Sequence, residues 1–260
     1  MCCEPDTSQS PVWVWGLPLA PLTFRQTLEK VDELIHQGSP SYFITANLHY
    51  AMLTARDKRL PLLNAGAAFV LTDGMPLVWA SRWRNRKLPE RVAGSDLVPA
   101  LCGWAAEKGY RVFLLGGGPG IAEEAARRLV EKYPNLQVVG TASPNLAKMS
   151  EEEKQKLFDE IRSAGPHLLF AAFGQPKGEL WLAEHGEELG VPVTVQIGAS
   201  LDFVAGRVPR SPRWMQRVGL EWVYRLWREP RRLVGRYYSN GLFALRMLAR
   251  DAFTRRELRF

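Results

Sequence analysis

Asp73 ends an apolar run in the string Thr72-Asp73-Gly74-Met75-Pro76. A carboxylate there can cap a helix that starts near Pro76, or take a proton from a substrate hydroxyl as a general base. The pattern leaves both roles open. Displacement of a leaving group from the opposite face needs only one such base, so no second partnered carboxylate is required, unlike in a glycosidase. A second cluster, Gly116-Gly117-Gly118-Pro119-Gly120, follows another apolar run and opens a helical pattern. Gly117, Gly118 and Gly120 would let the backbone and the free amides of a helix start approach a diphosphate. A plain tight turn fits the string equally well. It lacks the G-x-G-x-x-G spacing, and no acid marks the end of the next strand, so a dinucleotide cofactor is disfavoured and no cofactor is expected.

Metal chemistry finds little support. The chain has no D-x-D, and His36, His49, His167 and His185 are scattered without ligand spacing. Cys2 and Cys3 are adjacent and Cys102 stands alone, which fits neither a disulfide framework nor a zinc site and suits a reducing cytoplasm. A departing diphosphate would then need fixed cations, and arginine offers bidentate geometry. Arg91 and an arginine-rich tail are the available suppliers. His49, two residues after Asn47, suits a structural hydrogen bond better than a substrate contact.

The tail is distinct. Residues 207–260 contain fourteen Arg, no Lys and four acids, a balance of +10, against +7 for the whole chain, so residues 1–206 carry −3. Nine aromatics are interleaved with these arginines, among them Trp214, Trp222, Trp227, Tyr237 and Tyr238. That mixture suits a surface that meets anionic phosphates and seats rings at a headgroup boundary. It would also serve nucleic acid, or simply be a solvated helical hairpin. Leu220, Val223, Tyr224 and Trp227 share one helical face, which more often packs on its own domain than enters lipid; both hold if the helix docks on the domain and presents its arginines over the strand ends. No run approaches the roughly 18–20 apolar residues of a membrane span, and no secretory signal is visible.

The elements that must position these groups follow from periodicity. Residues 12–15 and a Gly16-Leu17-Pro18 turn precede a helical pattern at 23–36. Strand-like runs at 42–46, 67–72, 111–115, 136–140, 168–173 and 193–197 alternate with helical stretches near 50–64, 75–84, 96–108, 120–132, 150–163 and 177–189. The alternation predicts an α/β fold with a Rossmann-like, mostly parallel sheet flanked by helices. From Arg210 onward only helical patterns remain, broken at Pro212 and Pro230. The expected organisation is a catalytic domain, 1–206, with a helical membrane-associating appendage, 207–260. Nearly every unusual cluster falls just after a predicted strand: Asn47, Asp73, the glycine string, Gly174-Gln175-Pro176-Lys177, and Gly198-Ala199-Ser200. In open parallel sheets the ligand crevice lies at that edge.

These strings resemble the WecG/TagA/CpsF family, glycosyltransferase family 26, from about Val14 to Tyr237. The matching pieces are TANLHY at 45–50, LTDGMPLVW at 71–79, RVAGSDL at 91–97, LLGGGPGIAEEA at 114–125, FGQPKGE at 173–179, GASLDFVAGRVPRSPRW at 198–214 and GLEWVYRLWREPRRL at 219–233. The resemblance implies metal-independent, inverting transfer of an N-acetylmannosamine-type sugar from UDP to undecaprenyl-diphosphate-linked GlcNAc, in cell-surface polysaccharide synthesis. It implies Asp73 as the catalytic base, with Thr45, Asn47 and Arg91 at substrate positions. Arg225 and Arg232 match tail arginines that close over the site and engage the diphosphate, and the appendage is the family's membrane-targeting element. In one departure, Gly178 stands where the family commonly has Gln, and Gln175, three residues earlier, is not an equivalent position. Family members also use UDP-glucose or an acidic mannosamine donor, and the choice of donor hinges partly on this difference.

The expected partners are thus a UDP-sugar, a polyprenyl-diphosphate-linked sugar acceptor and the inner face of the cell membrane, approached peripherally from the cytoplasm. A homo-oligomer is left open. A non-catalytic nucleotide-binding module and another nucleotide-sugar enzyme are the rivals. Nucleic acid is not expected, since the motifs gather on strand ends and not along a continuous basic groove.

Overall fold

The computed structural model describes residues 10–83 and 87–257. Cys2, Cys3 and the far end of the predicted 75–84 helix lie outside them. Eight strands form one sheet in the order β1-β2-β4-β3-β8-β7-β5-β6. They are β1 (Val12–Val14), β2 (Leu17–Leu19), β3 (Ser41–Ala46), β4 (Val70–Thr72), β5 (Arg111–Gly116), β6 (Gln137–Ala142), β7 (Leu168–Ala172) and β8 (Val193–Gln196). Among the described residues only the β1–β2 hairpin is antiparallel, and every other pairing is parallel. The α/β expectation is met.

Helices return the chain between parallel strands: α1 (Phe24–Gln37), α2 (Leu48–Thr54), α3 (Arg59–Gly66), α4 (Met75–Ser81), α5 (Gly94–Lys108), α6 (Ile121–Lys132), α7 (Glu151–Ala164) and α8 (Lys177–Leu189). Beyond β8 come α9 (Ser200–Val204), α10 (Arg213–Arg217), α11 (Glu221–Arg228) and α12 (Pro230–Glu257). Local chemistry sets their starts. Thr23 and Ser150 form capping boxes with Gln26 and Glu153 and so begin α1 and α7. Thr27, Val31, Leu34 and Ile35 make one buried stripe along α1.

Two local expectations are corrected. The helix predicted near 50–64 is split into α2 and α3. Pro61, with no N–H to give, cannot continue a helix from residue 57, and the Asp57 carboxylate accepts instead from the Arg59 amide at 3.0 Å. The first turn lies at Trp15-Gly16, with φ of 50° and 86°, so Leu17 and Pro18 belong to a strand. Two positive φ values match a tight hairpin with the right-handed strand twist.

Three apolar clusters fill the spaces between sheet and helices. One of them, under α2, α3 and the hairpin, also receives Phe243, Ala244, Met247 and Leu248 from α12. That last helix, 28 residues long, would span about 42 Å at 1.5 Å per residue. It is held to the hairpin by the Trp15 indole, which donates to the Asp251 carboxylate at 3.0 Å and meets Phe243 edge-on.

Candidate active site

The carboxyl ends of β3, β4, β8, β7 and β5 share one edge of the sheet, and the polar groups gather there. Asp73 directly follows β4. Its amide donates to the Ala46 carbonyl at 2.8 Å, which ties it to the end of β3. The carboxylate does not cap α4, whose N-cap is Gly74 with no side-chain bond. It accepts instead from the Gly94 amide at 3.2 Å, at the start of α5. Burial pushes its pKa up to about 7; Arg91 pulls it down, Glu221 pushes it up, and the Gly94 amide and Arg225 pull it down again. A carboxylate poised near neutrality is suited to proton abstraction.

Arg91 is tied into a network that joins the body to the tail. Its guanidinium donates to Glu221 at 3.2 Å and lies 3.8 Å from Asp96. Arg210 bonds the other side of Asp96 and approaches Glu221 at 3.9 Å. Two arginines and two acids thus fasten the start of α11 over the start of α5. Because both acids belong to this network, Arg91 does not face Asp73 as an unshared cation.

Beside this network lies a cavity of about 300 Å³, lined by Gly118, Asp202, Arg207, Arg225, Glu229 and Arg232, together with Pro119, Ala199 and Val208. The glycine string therefore meets Arg225 and Arg232, which lie 107 and 114 residues beyond Gly118 along the chain. Of the three predicted glycines only Gly118 lines the cavity. Gly117 and Gly120 shape its loop, with φ of 80° and 76°, values that only glycine adopts freely. The Arg225 guanidinium stacks 5.5 Å from the Phe203 ring centroid, and its Nε is buried without a partner. Arg232 is held by Glu229 at 2.6 Å. Arg236 is pushed down by burial, Tyr237 opposes this, and Arg225 and Arg232 add to the lowering by repulsion. Crowded guanidiniums with unused donors are the chemistry of an anion site.

Thr45 is buried, and its hydroxyl donates to the Gln196 carbonyl at 3.1 Å, bridging β3 and β8. The Gln175 amide donates to the Thr45 carbonyl at 3.1 Å. Asn47 caps α2, accepting from His49 and Tyr50 amides at 3.0 and 3.1 Å, so its carbonyl oxygen is engaged structurally. His49 meets Asn240 of α12 at 3.1 Å, a structural bond as expected. At the departure from the family pattern, Gly178 packs against the Gln196 side chain.

One expected face is turned the other way. No residue of α11 is buried. Trp222, Val223 and Trp227 point outward, with Trp227 74% exposed, while Glu221 and Arg225 point into the site. The polar cleft below draws in the charged side and leaves the apolar side facing out. Several neighbours of the candidate site were not singled out from sequence: Asp202, Arg207, Arg210, Glu221 and Glu229. All lie in the two motif strings at 198–214 and 219–233, where a charge among aromatics was the available signal. Among the described residues no group of three or more His, Cys, Asp or Glu is arranged to hold a metal ion. Nor is any helix among them long and apolar enough to cross a membrane.

A parallel α/β sheet with a poised carboxylate and an arginine-lined cavity at its carboxyl edge can hold an anionic group beside a general base. The chain belongs to the glycosyl transferase WecG/TagA/CpsF family, whose profile matches residues 12–257, and is thus a glycosyltransferase. It is 30% identical over 215 residues, 81% of either chain, to the N-acetylglucosaminyldiphosphoundecaprenol N-acetyl-beta-D-mannosaminyltransferase of Bacillus subtilis (strain 168). A protein of the same name from Bacillus spizizenii (strain ATCC 23059 / NRRL B-14472 / W23) is 28% identical over 198 residues, 76% of this chain and 75% of that one. The resemblance read from the motifs is borne out.

Proposed function

We propose that this enzyme moves an N-acetylmannosamine-type sugar from a UDP-sugar to undecaprenyl-diphosphate-linked GlcNAc, with inversion and without a metal. One observation carries the reading: the Asp73 carboxylate and the arginine-lined cavity share one sheet edge, with Arg225 near enough to act on both. The names of the two relatives supply the substrate class.

Asp73, ionised, takes the proton from the acceptor hydroxyl. That oxygen attacks the anomeric carbon from the face opposite UDP, and the bond from that carbon to the diphosphate oxygen breaks. The charge leaving with UDP is met by Arg225 and Arg232, while backbone around Gly118 faces the same cavity. In this reading Thr45, Asn47, Arg91 and Gln175 serve the sugar side of the cleft.

The acceptor is held by lipid, so the enzyme must work at a membrane surface. Residues 207–260 act in this reading as a peripheral appendage on the inner face of the cell membrane. Supporting it are the outward rings Trp214, Trp227 and Tyr238, at 61, 74 and 69% exposure, set among arginines. The deciding experiment is UDP release from UDP-N-acetylmannosamine with a short-chain GlcNAc-diphospho-lipid, in EDTA. Acceptor-dependent release supports the reading. Absence of release with this donor and across a panel of UDP-sugars refutes it.

A further inference from the structure

Near the start of α8 three buried oxygens have no hydrogen donor: both carboxyl oxygens of Glu179 and Oε1 of Gln175. Glu179 is 1% exposed, and the Gln175 side chain lies within hydrogen-bonding reach of it. Gln175 directs its amide nitrogen to the Thr45 carbonyl. Glu179 is close enough to raise the Tyr50 phenol of α2, yet the Tyr50 proton goes to Asn64 Oδ1 at 2.9 Å. Among the described residues no lysine, arginine or histidine contributes to the environment of this carboxyl. An ionised carboxylate in such a place would keep a charge in a dry interior with no well-formed hydrogen bond to either oxygen, beside a Gln175 oxygen that also lacks one. Adding one proton to Glu179 supplies the missing donor.

We propose that Glu179 is a positioning residue that works as a neutral carboxylic acid, donating its hydroxyl proton to Gln175 Oε1 and so fixing the Gln175 amide on the Thr45 carbonyl. The proposal rests on the reading of this edge as the substrate cleft. Burial agrees with it by pushing Glu179 up to about 7, against opposing pulls from its own backbone amide and from Gln175. The effect reaches the base through the backbone. Thr45 precedes Ala46, whose carbonyl holds the Asp73 amide, and the Thr45 hydroxyl holds β8. Ionising Glu179 would replace the donor by a negative acceptor, repel Gln175 Oε1 and loosen that end of β3.

The test compares the wild type with Glu179→Gln, which can still donate, and Glu179→Met, which fills the space without donating. The Gln variant is expected to hold kcat within about threefold and to lose the decline of activity at alkaline pH, whereas the Met variant loses about tenfold or more in kcat with little change in donor KM. Thermal melting shows whether each variant is folded. A folded Met variant with wild-type kcat, or a Gln variant as impaired as Met, overturns the proposal. Infrared difference spectra of wild type minus Glu179→Gln, at a pH of about 6, decide it without turnover. A protonated-carboxyl carbonyl band supports the neutral acid, and its absence overturns it. If no UDP-sugar is turned over by any variant, the transferase reading fails and the infrared result alone stands for this one.

Discussion

The side chain of Gln196 occupies the space that a side chain on Gly178 would need. A Cβ on Gly178 would lie 2.5 Å from Gln196 Cδ and 2.6 Å from its Oε1. Gln196 is itself fixed at the end of β8 and accepts from the Phe173 amide at 3.3 Å. The bare backbone at 178 and the long amide at 196 are therefore one packing arrangement.

Restoring Gln at 178 alone is consequently expected to harm the enzyme. Gly178→Gln should cost about 1–3 kcal/mol through overpacking, with reduced turnover. Gly178→Gln combined with Gln196→Ala should recover much of that loss. Chemical denaturation of the single and double variants measures the coupling; simple additivity would contradict the shared-space account.

Asp73→Asn is expected to lower kcat by about 10²–10⁴-fold, the range for a positioned general base. Wild-type activity should rise with pH through about 7, because burial holds the Asp73 proton up to there and only the ionised form is a base. Steady-state kinetics across pH checks both points. A rise centred in the ordinary carboxylate range would contradict the environment described for Asp73.

Replacing Arg225 and Arg232 together by Ala should cut kcat by about 10²–10³-fold or more, the scale of losing fixed donors to a developing charge. Arg232 is exposed, whereas Arg225 stacks on Phe203, so any loss of melting temperature should trace to the Arg225 change. A double variant with unimpaired kcat would leave the tail as packing alone.

Stability should also report the two raised carboxyls. Asp73 and Glu179 bind their protons more tightly folded than unfolded, with folded values of about 7 against ordinary values of 3.8 and 4.5. The stability linked to these protons is full below pH 4 and is lost as pH rises to about 7. Glu179→Gln removes one of these contributions, so relative to wild type it should be more stable at pH 8 than at pH 4, by at most on the order of 3 kcal/mol. Equal differences at both pH values would contradict the shift.

The sheet and the site edge were legible in the sequence because strand runs and strand-end clusters are local patterns. Asp73, Thr45 and the Gly118 loop fall on that edge for this reason. Other features depend on distant partners. The break at Pro61 was readable from the missing N–H, yet the helical period across 50–64 masked it. The role of Glu221 depends on Arg91, 130 residues away, and no spacing rule carries that. The outward face of α11 was misjudged because an apolar stripe looks the same to a periodicity argument whether it meets a core or leaves one. Glu179 looks like an ordinary first-turn acid until its burial is known.

The contact between Trp15 and Asp251 has a consequence for biosynthesis. These residues are 236 positions apart, so the β1–β2 hairpin lacks its covering helix until all the other strands have been made. Until then the Trp15 indole and the apolar face later covered by Phe243, Met247 and Leu248 stay open to solvent and to chaperones. The fold is closed by a helix synthesised after every strand, and a chain cut short before α12 would display an uncovered hydrophobic face of the kind that quality-control proteases recognise.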